Sequence, residues 1–505
     1  MPSFPRSTAG FDHLVVLMLE NRSFDHLLGF LYEGDTPRHF LPDGDRRFHG
    51  VSETPGLGNF DGKTPPTFYP VTRAPHDSLA DLALPFPDPG EEFFPHMNHQ
   101  IYGQDQVPES LSELPPTAPM SGFVSDYLRT YHQKFRRFRR GVSDAQLASE
   151  LMRCFPPQAT PVLSGLARAY AVSDAWFASV PSQTYANRSF LHAADSSGFV
   201  HNANYIKWSK NSAPTVFERL AERLPLPEAF RVYWDPLDPF PITRLIHRPL
   251  YDQRFDASFV DMRAFERDCA EGRLPAYAFV QPRVIVDNND MHPSFLPQQN
   301  RHSSVVAGDA LVARVYDALR TSPLWPRVLL VILFDEHGGT YDHVPPPVGA
   351  TPPHPSPPYP LEHGFRFQRF GVRVPAVFVS PQIEPGTVVR ARGAVPFDHT
   401  SVIKTLCLRF DLPSLTERDR AAPDFLHVLN RPSSSPPRDV PVFTPRPQPA
   451  PVTGKARRLP LSDLQRGTLE LLAHQRGLAS RGFATLGEAL DLLHGLRRRR
   501  RTKDE

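Results

Sequence analysis

Two uninterrupted apolar runs, residues 14–19 (LVVLML) and 328–334 (VLLVILF), dominate the pattern of hydrophobic and polar positions, and each stops abruptly at polar residues. Runs of this length without polar alternation describe strands buried on both faces and are too short to cross a bilayer. The first runs into Glu20-Asn21-Arg22-Ser23 and the second into Asp335-Glu336-His337-Gly338-Gly339. Open α/β sheets gather their chemistry at the carboxyl ends of strands. As parallel neighbours, the two runs would set Glu20 and Asn21 opposite Asp335 and Glu336 across one crevice, an all-oxygen group that suits a divalent cation.

The rest of the pattern alternates strand and helix. A helix is expected from His26, then residues 33–120 lose periodicity and fill with Gly, Pro, Asp and Thr, as a lid or insert does. Helical spacing returns from Ser121, over 145–154 and over 162–171, and Thr184 opens a further helix after Pro181-Ser182-Gln183. Unpaired N–H groups in such a first turn attract anions. Strands are expected at 232–234, 276–280 and 372–380, an amphipathic helix at 309–320 leading into the second apolar run, and a helix at 402–408 after Phe397-Asp398-His399-Thr400-Ser401. This order predicts an α/β fold with a mostly parallel central sheet. From Arg431 proline and serine take over, marking a stiff linker. The expected organisation is a catalytic domain over 1–430, a linker over 431–460 and a helical basic tail over 461–505. No candidate site residue lies in the tail, which is therefore expected to be dispensable.

Composition narrows the class of ligand. Lys and Arg (56) nearly balance Asp and Glu (54), so no basic field marks a nucleic-acid binder, and a small ligand is expected instead. The 58 prolines call for long stiff loops. Three distant cysteines, Cys154, Cys269 and Cys407, predict free buried thiols. With no long apolar stretch, and no apolar core in the first ten residues, neither stable membrane insertion nor export is expected; a cytoplasmic location follows for the chain as it stands. Arg497 to Arg501 read as a solvated end.

A metal-activated hydroxyl attacking phosphorus needs carboxylates for the cation, a Ser or Thr beside it, and donors for the phosphoryl oxygens. Glu20, Asn21, Asp335 and Glu336 are candidates for the first task, Thr184 for the second and Arg188, one turn on, for the third. His292, His399 or His96 is placed to protonate the leaving alcohol. Simpler roles compete: Glu20 and Asn21 as caps of the next helix, Thr184 as an N-cap, Asp25 and His26 as local structure, and His337, Asp342 and His343 as orienting groups.

The segments ENRSFDHLLGF, DPGEEFFPHMNHQIYG, PSQTYANRSF, FDEHGGTYDHVPPP and FDHTSV, in this order, resemble the signature segments of the bacterial phosphoesterase family of phosphatidylcholine-type phospholipases C and related acid phosphatases. The resemblance spans roughly Phe11 to Leu412. It implies an alkaline phosphatase-like three-layer α/β/α sandwich, metal ligands at Glu20, Asn21, Asp335 and Glu336, and a Thr184 nucleophile that also touches the metal. It places histidines around the phosphate, His292 being best matched. Beside the resemblance, Asn187, Arg188 and His399 are read as substrate contacts. Two departures stand out. Glu91 occupies a position where many members carry histidine, with His96 the nearest substitute, and neither a twin-arginine leader nor two further β-rich domains accompany the segments. The second departure favours a soluble phosphoester over a lipid interface. Cys154-Phe155-Pro156 is similar to the start of a sulfatase motif, but Gln158 replaces the arginine that motif requires, so sulfatase chemistry is not expected. The reading is metal-dependent hydrolysis of a small phosphoester or phospholipid headgroup, of phospholipase C or acid phosphatase type, through a Thr184 phosphoenzyme. Oxygen ligands favour Mg²⁺, Mn²⁺ or Ca²⁺, and recruitment of His292 would favour Zn²⁺ or iron. The alternative is a catalytically silent binding protein that keeps the fold and uses its basic tail.

Overall fold

A computed structural model describes residues 10–90, 93–136, 139–238, 240–285, 287–293, 305–432, 439–448, 461–478, 482–485, 487–488 and 491. Nine strands form the main sheet, in the spatial order Phe259–Asp261, Phe230–Trp234, Tyr277–Gln281, His13–Leu19, Val328–Phe334, Ala376–Val379, Ala171–Ser173, Thr387–Val389 and His39–Leu41. All neighbours are parallel except at Ala376–Val379, which runs against both of its partners. The two apolar runs are adjacent and parallel at the centre, every residue of both strands buried, with Leu19 opposite Phe334. That register sends Glu20 and Asp335 out of the sheet side by side.

The pleat shows that helices cover both faces. Phe230 and Tyr277 are register partners, and both rings pack on Phe217 of the helix Val216–Arg223, at 4.8 and 5.4 Å. Tyr233, three residues after Phe230 and so on the opposite face, packs at 5.1 Å on Phe265 of the helix Met262–Ala270. The helices Thr184–Ala193 and Thr400–Phe410 join the first layer, and Val305–Arg320 and Pro161–Ala169 join the second. The result is the expected three-layer sandwich.

Three expectations need correction. Residues 33–120 are not all loop: His39–Leu41 extends the main sheet, Gly58–Phe60 pairs with Phe68–Pro70, and Phe93–Tyr102 is a helix. The strand read at 372–380 is Ala376–Val379 and antiparallel, a direction that its apolar pattern does not encode.

The third concerns the C-terminal part. Residues 439–448 lie on the domain, the Phe443 ring packing tilted 6.0 Å from Tyr316 and Arg446 donating to the His76 carbonyl at 2.8 Å. The helix Asp463–Gln475, opened by a capping box between Ser462 and Gln465, buries Leu469, Leu471 and Leu472 in a cluster with Tyr185, Trp208, Ile242 and Leu245. Burial of this kind stabilises by roughly 2 kcal/mol for each leucine. The helix is part of the fold rather than an appended tail. Arg497 to Arg501 lie outside the described residues. Among the described residues the three cysteines are free and buried, and no helix is long and apolar enough to cross a membrane.

Candidate active site

Glu20 and Asn21 leave the central strand into a tightly held turn. Glu20 N–H donates to the Asp290 carbonyl at 2.8 Å, and Asn21, in the left-handed region at φ 54°, donates its N–H to Asp335 Oδ1 at 3.1 Å. Ser23, not Glu20 or Asn21, caps the next helix, accepting from His26 N–H, so the capping alternative for the acid and amide falls away. Gly338, at φ 60°, turns the second loop back against the first; a Cβ there would meet the Asn21 carbonyl oxygen at 2.5 Å.

Between the two loops lies Arg188. Its Nη2 donates to Glu20 Oε1 at 3.0 Å and its Nε lies 3.6 Å from Asp335 Oδ2. Arg188, read as a phosphate fork, is thus engaged as counter-ion to the two acids. Burial drives the Glu20 carboxyl well above its ordinary range, Arg188 opposing this while Asp335 and Asp290 add to it. Asp335 is raised in the same way, and Asp290 is pushed up to about 7 by burial against the His292 N–H bond. Three buried acids therefore compete for one guanidinium. Glu20 Oε2, Asp335 Oδ2 and both amide atoms of Asn21 have no hydrogen-bond partner among the described residues, although all are buried. Unsatisfied buried oxygens are costly, and a hard divalent cation relieves both the polar deficit and the excess charge. The residues present fit such an ion.

Asp290 escaped the sequence reading. It follows the strand Tyr277–Gln281, the other parallel neighbour of His13–Leu19, so three adjacent strands feed acid-bearing loops into one crevice. A third strand followed by Asn288-Asn289-Asp290 was the available signal. Another acidic group, Asp25, Asp342 and His343, brings its donor atoms within 4.8 Å of one another. Buried Arg373 already neutralises it, at 2.7 Å from Asp25 and 3.2 Å from Asp342, and His343 Nδ1 lies 2.6 Å from Asp25. Asp25, Asp342 and His343 thus form a charge-balanced cluster around Arg373. Cys154 is likewise a packing residue, its thiol pushed well up by burial.

Thr184 is the first residue of the helix Thr184–Ala193, with Gln183 at the N-cap, so Thr184 is not itself the cap. Tyr185 N–H, one of the first-turn donors, is taken by Asn202 Oδ1 at 3.0 Å. Positions four apart lie on one helix face, about 5–6 Å between Cβ atoms, so Thr184 sits one turn from the guanidinium that holds Glu20 and Asp335. Asn187, read as a substrate contact, spends its side chain on the preceding turn: Oδ1 accepts from Val180 N–H at 3.0 Å, and Nδ2 donates to the carbonyls of Val180, Ser182 and Gln183. Its geometry braces the entry to Thr184.

His399 is also a brace. Its Nδ1 accepts from the Trp176 indole at 3.3 Å and its Nε2 donates to the Asp335 carbonyl at 2.7 Å, so both nitrogens are engaged and the ring is fully buried. Burial lowers it to about 4, which keeps it neutral. His292 donates its N–H to Asp290 Oδ1 at 3.0 Å and its Nδ1–H to the Pro293 carbonyl at 2.7 Å, and its charge bears on Asp335. His96 is partly exposed and bonds Asp126. Glu91 lies outside the described residues.

Residues 11–413 match the model of the Phosphoesterase family. Non-specific phospholipase C3 of Arabidopsis thaliana is 36% identical over 441 residues, an alignment covering 86% of this chain and 75% of that protein. The non-hemolytic phospholipase C of Pseudomonas aeruginosa is 24% identical over 448 residues, covering 81% of this chain and 56% of that one. The family read as bacterial thus extends to plants. Among solved structures, a protein in the alkaline phosphatase superfamily from Vibrio parahaemolyticus aligns at 11% identity with a TM-score of 0.30, over 52% of this chain and 64% of that one. A family match over most of the chain, reached independently of the paired acid-ended strands, makes this protein a member of the Phosphoesterase family and a hydrolase of phosphoester bonds.

Proposed function

We propose that the chain is a metal-dependent phosphodiesterase of phospholipase C type, acting on a phospholipid through a phosphothreonine at Thr184. The observation that carries this reading is the set of buried oxygens without partners on Glu20, Asn21 and Asp335, one helical turn from Thr184 by way of Arg188. Relatives named phospholipases C support the choice of substrate class.

Glu20, Asn21, Asp335 and Glu336 would hold the cation, with Thr184 one helical turn from Arg188, the counter-ion of Glu20 and Asp335. A divalent ion bound there supplies a Lewis acid that lowers the cost of an alkoxide and of developing charge on the phosphoryl oxygens. Thr184 Oγ attacks phosphorus and passes its proton to solvent, the P–O bond to the lipid alcohol breaks, and that oxygen takes up a proton from solvent. Water then cleaves the Thr184 ester to release the phosphorylated headgroup. Arg188 and His399 fix Asp335 from two sides, and Asn187 holds the turn that presents Thr184.

The test is turnover of p-nitrophenyl phosphorylcholine and p-nitrophenyl phosphate, with and without chelator, followed by return of Mg²⁺, Mn²⁺, Ca²⁺ or Zn²⁺. Diester cleavage that chelator abolishes and one ion restores is expected, with Asp335→Asn inactive. Full turnover in chelator overturns the metal dependence, and turnover of the monoester alone moves the chain to the acid phosphatase type.

A further inference from the structure

A short hairpin turns two aromatic rings toward solvent. Gly58–Phe60 pairs antiparallel with Phe68–Pro70, setting Asn59 opposite Tyr69 and Phe60 opposite Phe68. Side chains alternate between the two faces of such a pair. Asn59 and Tyr69 point inward and are buried, whereas Phe60 and Phe68 are 45% and 43% exposed, with their rings 5.1 Å apart. Single exposed apolar residues are ordinary, and Ile206 and Leu408 are such positions on separate helices. Two rings in contact on one exposed strand face form a patch, and an exposed apolar patch marks a contact site.

The hairpin is fastened to a wall of the acid crevice. Asn59 Oδ1 accepts from Val124 N–H at 3.2 Å and its Nδ2 donates to the Met120 carbonyl at 2.8 Å, which ties the inward face to the start of the helix Phe123–Thr130. There the Phe123 ring packs 5.9 Å from His337, the residue after Glu336. The turn of the hairpin carries Lys63, whose Nζ lies 2.9 Å from one oxygen of Asp144, and His132 Nε2 lies 2.8 Å from the other. His132 leads into residues 134–140, KFRRFRR, a basic and aromatic run. Arg139 turns inward to Glu150 at 2.6 Å, while Arg136 and Arg140 are exposed. Lys63 is balanced by Asp144 and, at 3.9 Å, by Asp61, so the positive charge shown to solvent along this edge includes that of Arg136 and Arg140.

We propose that this face docks on an anionic lipid membrane, Phe60 and Phe68 entering the headgroup region while Arg136 and Arg140 meet the lipid phosphates. The pairing of chemistries selects this occupant: the rings lose water on entering the interface, and the guanidinium groups are drawn to the negative charge of the leaflet. Cross-strand packing alone stabilises a hairpin only slightly and does not call for exposed aromatic area. A second copy of the chain fits less well, because a two-fold contact centred on this edge brings its arginines toward their own copies. The inference rests on the phospholipid reading of the substrate, and it concerns where the chain docks rather than which bond it cuts.

Docking is measured apart from turnover by sedimenting the full chain, in chelator, with vesicles of phosphatidylcholine alone or mixed with phosphatidylserine. The Phe68 ring also lies over Gly58 and leaves no room there for a Cβ, so Phe60 is the cleaner position to change. Wild type is expected to bind the mixed vesicles and Phe60→Ser to bind them about 10-fold more weakly. Arg136→Glu combined with Arg140→Glu is expected to lose the preference for mixed vesicles and the weakening by salt. Phe60→Trp is expected to bind as wild type does, its added indole emission shifting to the blue on mixing. Each variant is expected to turn over soluble p-nitrophenyl phosphorylcholine at the wild-type rate, which shows that it is folded. Wild type that stays in the supernatant, or Phe60→Ser that binds equally well, overturns the proposal. So does a wild-type dimer that Phe60→Ser dissociates, which assigns the face to a second copy. Vesicle binding that depends on Phe60, in a chain that does not cleave the soluble diester, supports the docking surface and overturns the phospholipase reading instead.

Discussion

Arg188 meets Glu20 at 3.0 Å in an ion pair that neither side chain exposes to solvent. The same guanidinium is the nearest counter-charge to Asp335, at 3.6 Å. Removing one partner of a buried pair strands the other, which costs about 3–5 kcal/mol. Arg188→Met is therefore expected to be destabilised by that amount in chelator, and to regain more stability than wild type when Mn²⁺ or Mg²⁺ is added, because a cation between the acids takes over the lost charge. Thermal unfolding with and without metal measures it. A variant whose loss is the same in both conditions would show that no cation binds between these carboxylates.

Away from the site, Asp309 provides a test of pH dependence. Reaching from the helix Val305–Arg320, its carboxylate accepts the N–H groups of Val162 and Leu163, at 3.1 and 2.9 Å, in the first turn of Pro161–Ala169. Burial nevertheless pushes it from 3.8 to about 7. The folded state thus holds this proton to a higher pH than the unfolded state does. The stabilisation is fully present below about pH 4 and is lost as pH rises through 7. Asp309→Asn has no such titration, so the stability of wild type minus that of the variant is expected to fall by a few kcal/mol between pH 4 and 8. Urea unfolding at several pH values reads the difference, and a flat profile would mean that the two N–H bonds keep Asp309 ionised.

Much of the crevice was legible because its strands are buried on both faces. Continuous apolar runs at 14–19 and 328–334 have few other structural readings, and the polar residue after each must emerge at a sheet end. Asp290 was missed because the strand before it reads Tyr277–Gln281, shorter and less uniform, and because nothing in one sequence says which strands are neighbours. Asn187 and His399 were read as substrate contacts; their geometry as braces depends on Val180 and Trp176, partners that no local pattern identifies. The helix at 463–475 had an apolar face in the sequence too, but periodicity tells that a face is buried and not what buries it.

That docked helix changes what truncation does. Tyr185, the neighbour of Thr184, gives its hydroxyl a partner in Thr468 at 2.6 Å, and Gly467 lies so close to Tyr205 that a Cβ would stand 2.1 Å from the ring. A chain ending at residue 448 exposes Tyr185, Trp208 and Leu245 together and is expected to lose most of its turnover and to aggregate on mild heating. Gly467→Ala is expected to do the same more weakly, by forcing the helix off its seat. Light scattering and turnover of both variants measure this, and an active, monodisperse truncated chain would show that the helix is dispensable.

Thr184 permits a sharper substitution pair, because its two readings differ in what a lost hydroxyl costs. As first helical residue behind Gln183, and with Tyr185 N–H already served by Asn202, its oxygen is not needed to cap the helix. Thr184→Val keeps the β-branched shape in a site only 1% exposed, so the fold is expected to survive. If the oxygen attacks phosphorus, the same change removes the nucleophile and lowers turnover by at least about 1,000-fold. Thr184→Ser keeps an oxygen on the same first-turn carbon and is expected to retain substantial activity. The phosphoenzyme gives a second reading: rapid quenching after mixing with substrate should trap one phosphate per active chain in wild type and in Thr184→Ser, and none in Thr184→Val. A folded Thr184→Val protein that turns over within a few-fold of wild type would move the attack to water and replace the covalent route with direct hydrolysis.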